Sequence, residues 1–175
     1  ALDVTSAYIN SYEPGISTSS VIAEYIGPGA NKDELIPDLG AVYSEDGDVE
    51  FIEKMSSGRH EITQTDDDDL SEVELLEMQK YGVKTILYIP LRIRGRLIGY
   101  TELWETRKRR EFTSEEIYLC HNLVQQAAFA LENARSFKRI QKAADEMTTL
   151  FKASRALNTE LLQVEDIANA IARLF

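Results

Sequence analysis

The stretch from Lys84 to Glu105, KTILYIPLRIRGRLIGYTELWE, limits the possible folds more than any other part of the chain. Thr85, Leu87, Ile89 and Leu91 alternate with Ile86 and Tyr88, the period-two pattern of a strand with both faces in use. Pro90 has no N–H to give to a ladder, so it belongs at a sheet edge or a bulge. Arg94-Gly95-Arg96 makes a short basic turn, and a second strand runs from Leu97 to about Glu105. Gly99 inside it marks a point where another backbone comes close. Thr113 is placed as a helix N-cap, and Glu116, three residues on, completes a capping box. Two paired strands feeding a capped helix predict an α+β fold with an antiparallel sheet.

The same region resembles a known family. Gly82-Val83, Pro90-Leu91, Gly99, Phe112-Thr113-Ser114-Glu115-Glu116 and Ala128-Phe129-Ala130-Leu131-Glu132-Asn133-Ala134 follow the order of motifs that closes a GAF domain. The likeness is specific from Tyr81 to Ala134 and weaker from Val4 to Asp69. It implies an antiparallel sheet of five or six strands. A long C-terminal helix would lie on one face, with short helices and loops on the other.

Upstream, Val4–Tyr12 and Ser20–Ile26 read as strands joined at Pro14-Gly15, the second ended by Gly27-Pro28-Gly29. Residues Asn31–Asp46 read as a loop. Val49–Met55 is predicted as a short helix capped by Asp48, Glu61–Thr65 as a short strand, and Ser71–Tyr81 as a helix with Ser71 and Glu74 as a capping box.

The last third changes character. From Ser114 to about Ala156 there is no Gly and no Pro. Apolar residues fall at Ile117, Cys120, Val124, Ala127, Leu131 and Ala134, then at Phe137, Ile140, Ala144, Met147 and Phe151, in three-and-four spacing. Three consecutive steps of three between Leu131 and Ile140 form a stammer that would overwind a coiled coil locally. A helix of about 40 residues spans about 60 Å, so its far half calls for a partner, most simply a second copy in parallel. The expected partner is thus a homodimer through residues 114–156, the alternative being a helix that folds back on its own domain as a hairpin. Leu157-Asn158-Thr159 is expected to break the helix. Ser154-Arg155-Ala156-Leu157-Asn158 resembles the phrase that precedes the first helix of a GAF domain. The expected organisation is a GAF domain over 1–134 lacking its first helix, a linker helix over 135–157, and the start of a second GAF-like domain over 158–175. Glu160–Phe175 could then fill the empty first-helix position, in cis or from a partner chain.

Composition narrows the partners. The net charge of −11 comes from Glu45 to Glu77, where thirteen acids face only Lys54 and Arg59. Such a field repels nucleic acid and anionic membranes, and the stretch is expected as a solvated acidic flank. No apolar run approaches the ~18 residues of a membrane span. One cysteine excludes an internal disulfide and suits a cytoplasmic setting.

Individual residues add little chemistry. Bilin-binding GAF domains hold the tetrapyrrole with a Cys-His pair shortly before the glycine matched here by Gly82, where this chain has Val73 and Glu74. Cys120-His121 lies instead on the last helix, with Cys120 at a core position, which argues against a covalent bilin. Asn31-Lys32-Asp33-Glu34 has the letters of the cyclic-nucleotide signature, but contiguous rather than spread out. Methionine sulfoxide reduction, known in the family, needs a nucleophilic and a resolving cysteine. Asp66–Asp69 lacks the spacing of a calcium loop, and His60 and His121 are read as too isolated for a metal site. Arg107-Lys108-Arg109-Arg110 is expected as an exposed basic turn, able to attract phosphate or an acidic partner domain.

The resemblance implies a bacterial regulatory sensor, not an enzyme, with a pocket between the sheet and the middle region. Tyr25, Tyr43, Phe51, Arg59, Tyr88, Tyr100 and Trp104 are the candidate ligand-binding residues, the ligand being unspecified. The output domain would be a histidine kinase, a cyclic-di-nucleotide enzyme or a transcription activator. A ligand-free dimerising spacer is the alternative, and its mark would be a filled core.

Overall fold

The alternation in the Lys84–Glu105 block is realised as two long strands at the centre of a six-stranded antiparallel sheet. The computed structural model describes residues 2–68, 70 and 72–173, without the side chains at 72, 73, 156–163, 165 and 170. In chain order the elements are β1 (Ser6–Glu13), β2 (Thr18–Ile26), β3 (Val42–Ser44), α1 (Val49–Ser57), β4 (Glu61–Gln64), α2 (Glu72–Tyr81), β5 (Thr85–Ile93), β6 (Arg96–Glu105) and α3 (Ser114–Ala172). The sheet order is β3-β2-β1-β6-β5-β4.

The β5–β6 hairpin turns on Arg94 and Gly95, both at positive φ, 52° and 80°. This is the two-residue turn whose twist matches its strands. Pro90 lies beyond the end of β4, which pairs only as far as Tyr88, so no ladder hydrogen bond is lost there. Gly99 sits so close to β1 that a Cβ would lie 2.0 Å from the Asn10 carbonyl oxygen.

The two faces of the sheet carry different cores. On one, Leu87, Ile89, Leu91, Ile98 and Leu103 pack with Phe112, Cys120, Val124 and Ala128, seating the first turns of α3. The capping box forms as expected: Glu116 N–H donates to Thr113 Oγ1 at 3.2 Å and Thr113 N–H to Glu116 Oε2 at 2.9 Å. On the other face Tyr8, Val21, Met78, Val83, Ile86 and Trp104 form one cluster, and Tyr12, Met55, Leu97 and Tyr100 another.

Several local expectations are corrected. Residues 31–46 are not all loop, because Val42–Ser44 pairs with Thr18–Ser20 as β3. Asp48 precedes α1 but makes no side-chain capping bond. The capping box expected at Ser71 falls on a residue outside those described. No break occurs at Leu157–Thr159, and α3 is helical to Ala172. Nothing in that tripeptide forbids helical backbone, since neither Gly nor Pro is present. Among the described residues, Glu160–Ala172 continues α3 rather than starting a separate helix, and Leu174 and Phe175 lie outside those described.

The chain divides into two units, Ala1–Glu132 and Asn133–Phe175. The second is helix, with Phe137, Ile140, Met147 and Phe151 all exposed. No helix among the described residues is long and apolar enough to cross a membrane.

Candidate functional site

Strand parity builds a cavity on the sheet face away from α3. Register places Glu102 opposite Tyr8 on β1 and opposite Tyr88 on β5, so one row across three strands reads Tyr8, Glu102, Tyr88. The next rows are Asn10, Tyr100, Pro90 and Ser6, Trp104, Ile86. Above this floor, α1 contributes Phe51, α2 contributes Glu74, Glu77, Met78, Lys80 and Tyr81, and the β2–α1 segment contributes Asp38, Tyr43, Glu45 and Asp48. The enclosed volume is about 270 Å³, just below the ~300–1,000 Å³ usual for small-molecule sites.

The rings form two groups. Tyr8 and Tyr81 lie 4.8 and 5.4 Å from Trp104 by ring centroid, and Phe51 meets Tyr88 and Tyr100 edge-on at 5.0 and 5.1 Å. Glu102 lies between them. Its Oε1 accepts from Asn10 Nδ2 at 2.7 Å and its Oε2 from Trp104 Nε1 at 2.8 Å. Burial pushes its carboxyl up to about 7, with Glu45 and Glu77 adding to the rise and the two hydrogen bonds opposing it.

Burial also pushes the Tyr8 hydroxyl up to about 12 and raises those of Tyr43, Tyr88 and Tyr100, so these phenols stay neutral donors. Glu77 and Asp48 are raised as well, by burial and by neighbouring carboxylates, Lys80 opposing the rise at Glu77. Glu45, only 6% exposed, accepts from Tyr100 Oη at 2.8 Å and from Ser19 Oγ.

Of the residues singled out from sequence, Tyr43, Phe51, Tyr88, Tyr100 and Trp104 meet at this cavity. Tyr25 and Arg59 do not. Tyr25 lies on the α3 face, because a bulge between Ile9 and Asn10 inserts Ile22 and reverses the parity of β2. Arg59 is exposed and donates to Ser57 Oγ. Sequence reasoning did not single out Tyr8, Asn10 or Glu102 as site residues. The signal was available in the alternation Tyr8-Asn10-Tyr12 and Tyr100-Glu102-Trp104. Within the acidic flank Asp48, Glu74 and Glu77 are exposed, as expected, while bordering the cavity; Glu45 is the buried exception, and Asp66 pairs with Arg109.

The other candidates take structural places. Glu34, 1% exposed, accepts from Ser6 Oγ, Thr106 Oγ1 and the Asn31 N–H, while Asn31 Nδ2 donates to the Tyr81 carbonyl at 2.8 Å. Asn31 and Glu34 thus fasten their loop to α2 and the sheet. The basic turn is engaged within its own domain. Arg107 pairs with buried Glu105 at 2.7 Å and with Asp3, and Arg110 pairs with Glu116 and covers the Phe112 ring. The two histidines are not apart: their ring centroids lie 5.7 Å from each other, and burial with His60 nearby lowers the pKa of His121. Among the described residues no three His, Cys, Asp or Glu converge as metal ligands.

A six-stranded antiparallel sheet with a long helix on one face and an aromatic cavity on the other defines an α+β domain. The GAF domain family matches residues 3–131, and the chain belongs to that family. GAF domains are in general sensory rather than catalytic. Solved structures agree on the fold. The blue-light-absorbing form of the Thermosynechococcus elongatus PixJ GAF domain is 18% identical with a TM-score of 0.66, covering 81% of this chain and 82% of that one. The phycocyanobilin-bound GAF domain of a cyanobacterial phytochrome is 18% identical with a TM-score of 0.60, covering 74% and 75%. The chromophore-binding domain of a Stigmatella aurantiaca phytochrome is 19% identical with a TM-score of 0.59, covering 71% of this chain and 47% of that one. No curated protein matches the chain significantly.

A bilin does not fit the residues present. Cys120, the single thiol, lies across the sheet from the cavity, where burial and Glu116 push it up to about 11. Among the described residues, the propionates of a bilin would meet six carboxylates and one ammonium.

Proposed function

We propose that the domain is the sensor of a cytoplasmic bacterial signalling protein. It binds a small molecule in the cavity under α1 and α2 and passes occupancy through α3, as a parallel homodimer, to an output domain of the parent protein. The observation that carries this reading is the cavity of about 270 Å³ between sheet and roof, since a spacer would have a filled core. A buried, protonated Cys120 disfavours thiol catalysis, so the reading contains no chemical step. The exposed apolar series Phe137, Ile140, Met147 and Phe151 supports helix pairing. The stammer between Leu131 and Ile140 is the candidate switch, because a break in heptad phase allows two packings of similar energy.

Native mass spectrometry of the purified chain tests the reading. The expected result is a dimer carrying a small mass that is lost on denaturation. A dimer without added mass, unresponsive to any small-molecule panel, would return the domain to the spacer class, and a monomer would remove the helix-pairing part.

A further inference from the structure

The cavity wall has a definite chemistry. Among the described residues its lining has seven aromatic side chains, six carboxylates and a single ammonium, that of Lys80. An acidic cluster alone would attract only solvent and mobile ions. Here the acids surround a concave space walled by rings, and two carboxylates are held in it without counter-charge. Glu102 and Glu45 accept from Asn10, Trp104, Tyr100 and Ser19, all neutral donors. Aromatic faces and uncompensated carboxylates attract the same kind of group, because a ring's quadrupole presents a negative face.

We propose that the ligand is a small organic cation, an amine, guanidine or quaternary ammonium, held between the Tyr8–Trp104–Tyr81 and Phe51–Tyr88–Tyr100 ring groups with Glu102 as its counter-charge. This rests on the cavity being the sensing site. One contact of this kind already exists: the Lys80 ammonium lies 4.5 Å from the Tyr81 ring centroid. A metal ion is the poorer occupant, since among the described residues no three ligating side chains converge. An anion would enter against the field of six carboxylates. A neutral apolar molecule would offer Glu102 and Glu45 neither a counter-charge nor a hydrogen bond.

Trp104 is the sole tryptophan of the chain and lines the cavity, so its fluorescence reports binding directly. The probes are choline, putrescine and methylguanidinium, run beside 3,3-dimethylbutanol as the neutral analogue of choline and isobutyrate as an anion. At least one cation should shift Trp104 emission saturably, at a concentration about tenfold lower than the neutral or anionic probe needs. Glu102→Gln should weaken the cation about tenfold and leave 3,3-dimethylbutanol unaffected. Glu77→Gln, a change at an exposed position, should weaken it less and serves if Glu102→Gln misfolds. If the neutral or anionic probe binds as tightly as every cation, the cation assignment falls and the sensing cavity stands. If no probe of any class shifts Trp104 and native mass spectrometry finds no ligand, both fall.

Discussion

Tyr100 Oη donates to Glu45 Oε1 at 2.8 Å, joining the middle of β6 to the segment between β3 and α1, 55 residues away. The bond fixes one wall of the cavity to its floor. Glu45 is 6% exposed, and Ser19 is its other side-chain donor. Tyr100→Phe therefore leaves a buried carboxylate short of a donor and should destabilise the domain by about 1–3 kcal/mol. Urea unfolding checks this, and an unchanged midpoint with an unchanged slope would show that water replaces the hydroxyl.

Gly99→Ala should be far worse than its size suggests. The added methyl carbon would meet the Asn10 carbonyl oxygen at 2.0 Å and the Asn10 carbonyl carbon at 3.1 Å, both backbone atoms of the neighbouring strand. Relief requires β1 and β6 to part, so a loss of about 2 kcal/mol or more is expected. Gly15→Ala, with nothing within 4 Å, is the control and should stay within about 0.5 kcal/mol. Equal melting temperatures for the two variants would contradict the strand spacing described here.

The carboxyl of Glu102 should leave a mark on stability against pH. Burial raises it from 4.5 to about 7, so the folded state takes up its proton more readily than the unfolded chain. Its favourable contribution is complete below 4.5 and is lost as pH rises through about 7. Glu102→Gln removes this dependence. The groups around it are Glu45, Glu74 and Glu77, the Lys80 ammonium, and the hydroxyls of Tyr8, Tyr88 and Tyr100. Glu77 and Asp48 are raised as well, so only the difference between wild type and variant isolates Glu102. That difference should grow in favour of the variant across the window. Parallel stability curves would mean that Glu102 titrates as an ordinary solvated acid.

The proposed pairing through α3 predicts a simple response to charge. Ile140 and Phe151 are exposed large apolar residues on the helix. Changing both to Asp should dissociate the dimer, by sedimentation equilibrium, while the circular dichroism of the sheet persists. A dimer that survives the double change would place its contact elsewhere.

What could be read in advance divides along a physical line. The Lys84–Ala134 region was legible because its signals are local: alternation in Thr85–Leu91, a capping box at Thr113 and Glu116, and a glycine where strands crowd. β3 was missed because Val42–Ser44 is three exposed residues with no room to show a period. Tyr25 is a strand aromatic like the others, and only pairing with β1 reveals the bulge that turns it to the other face. The acids from Glu45 to Glu77 are mostly solvated as expected, but a charge pattern along the chain does not say that the fold turns Glu45 inward. The break expected at Leu157–Thr159 has neither Gly nor Pro behind it, and helical backbone passes through it.

The alternation of β6 has a mechanical corollary. Trp104 lines the cavity, and Leu103, the residue before it, packs among the side chains that seat α3. One peptide unit separates a side chain that lines the cavity from a side chain that packs against the helix. Rocking that strand by a few degrees would tilt a ring on one side and a leucine on the other, so the same rigid plate that forms the floor of the chamber is also the lever on which the helix rests.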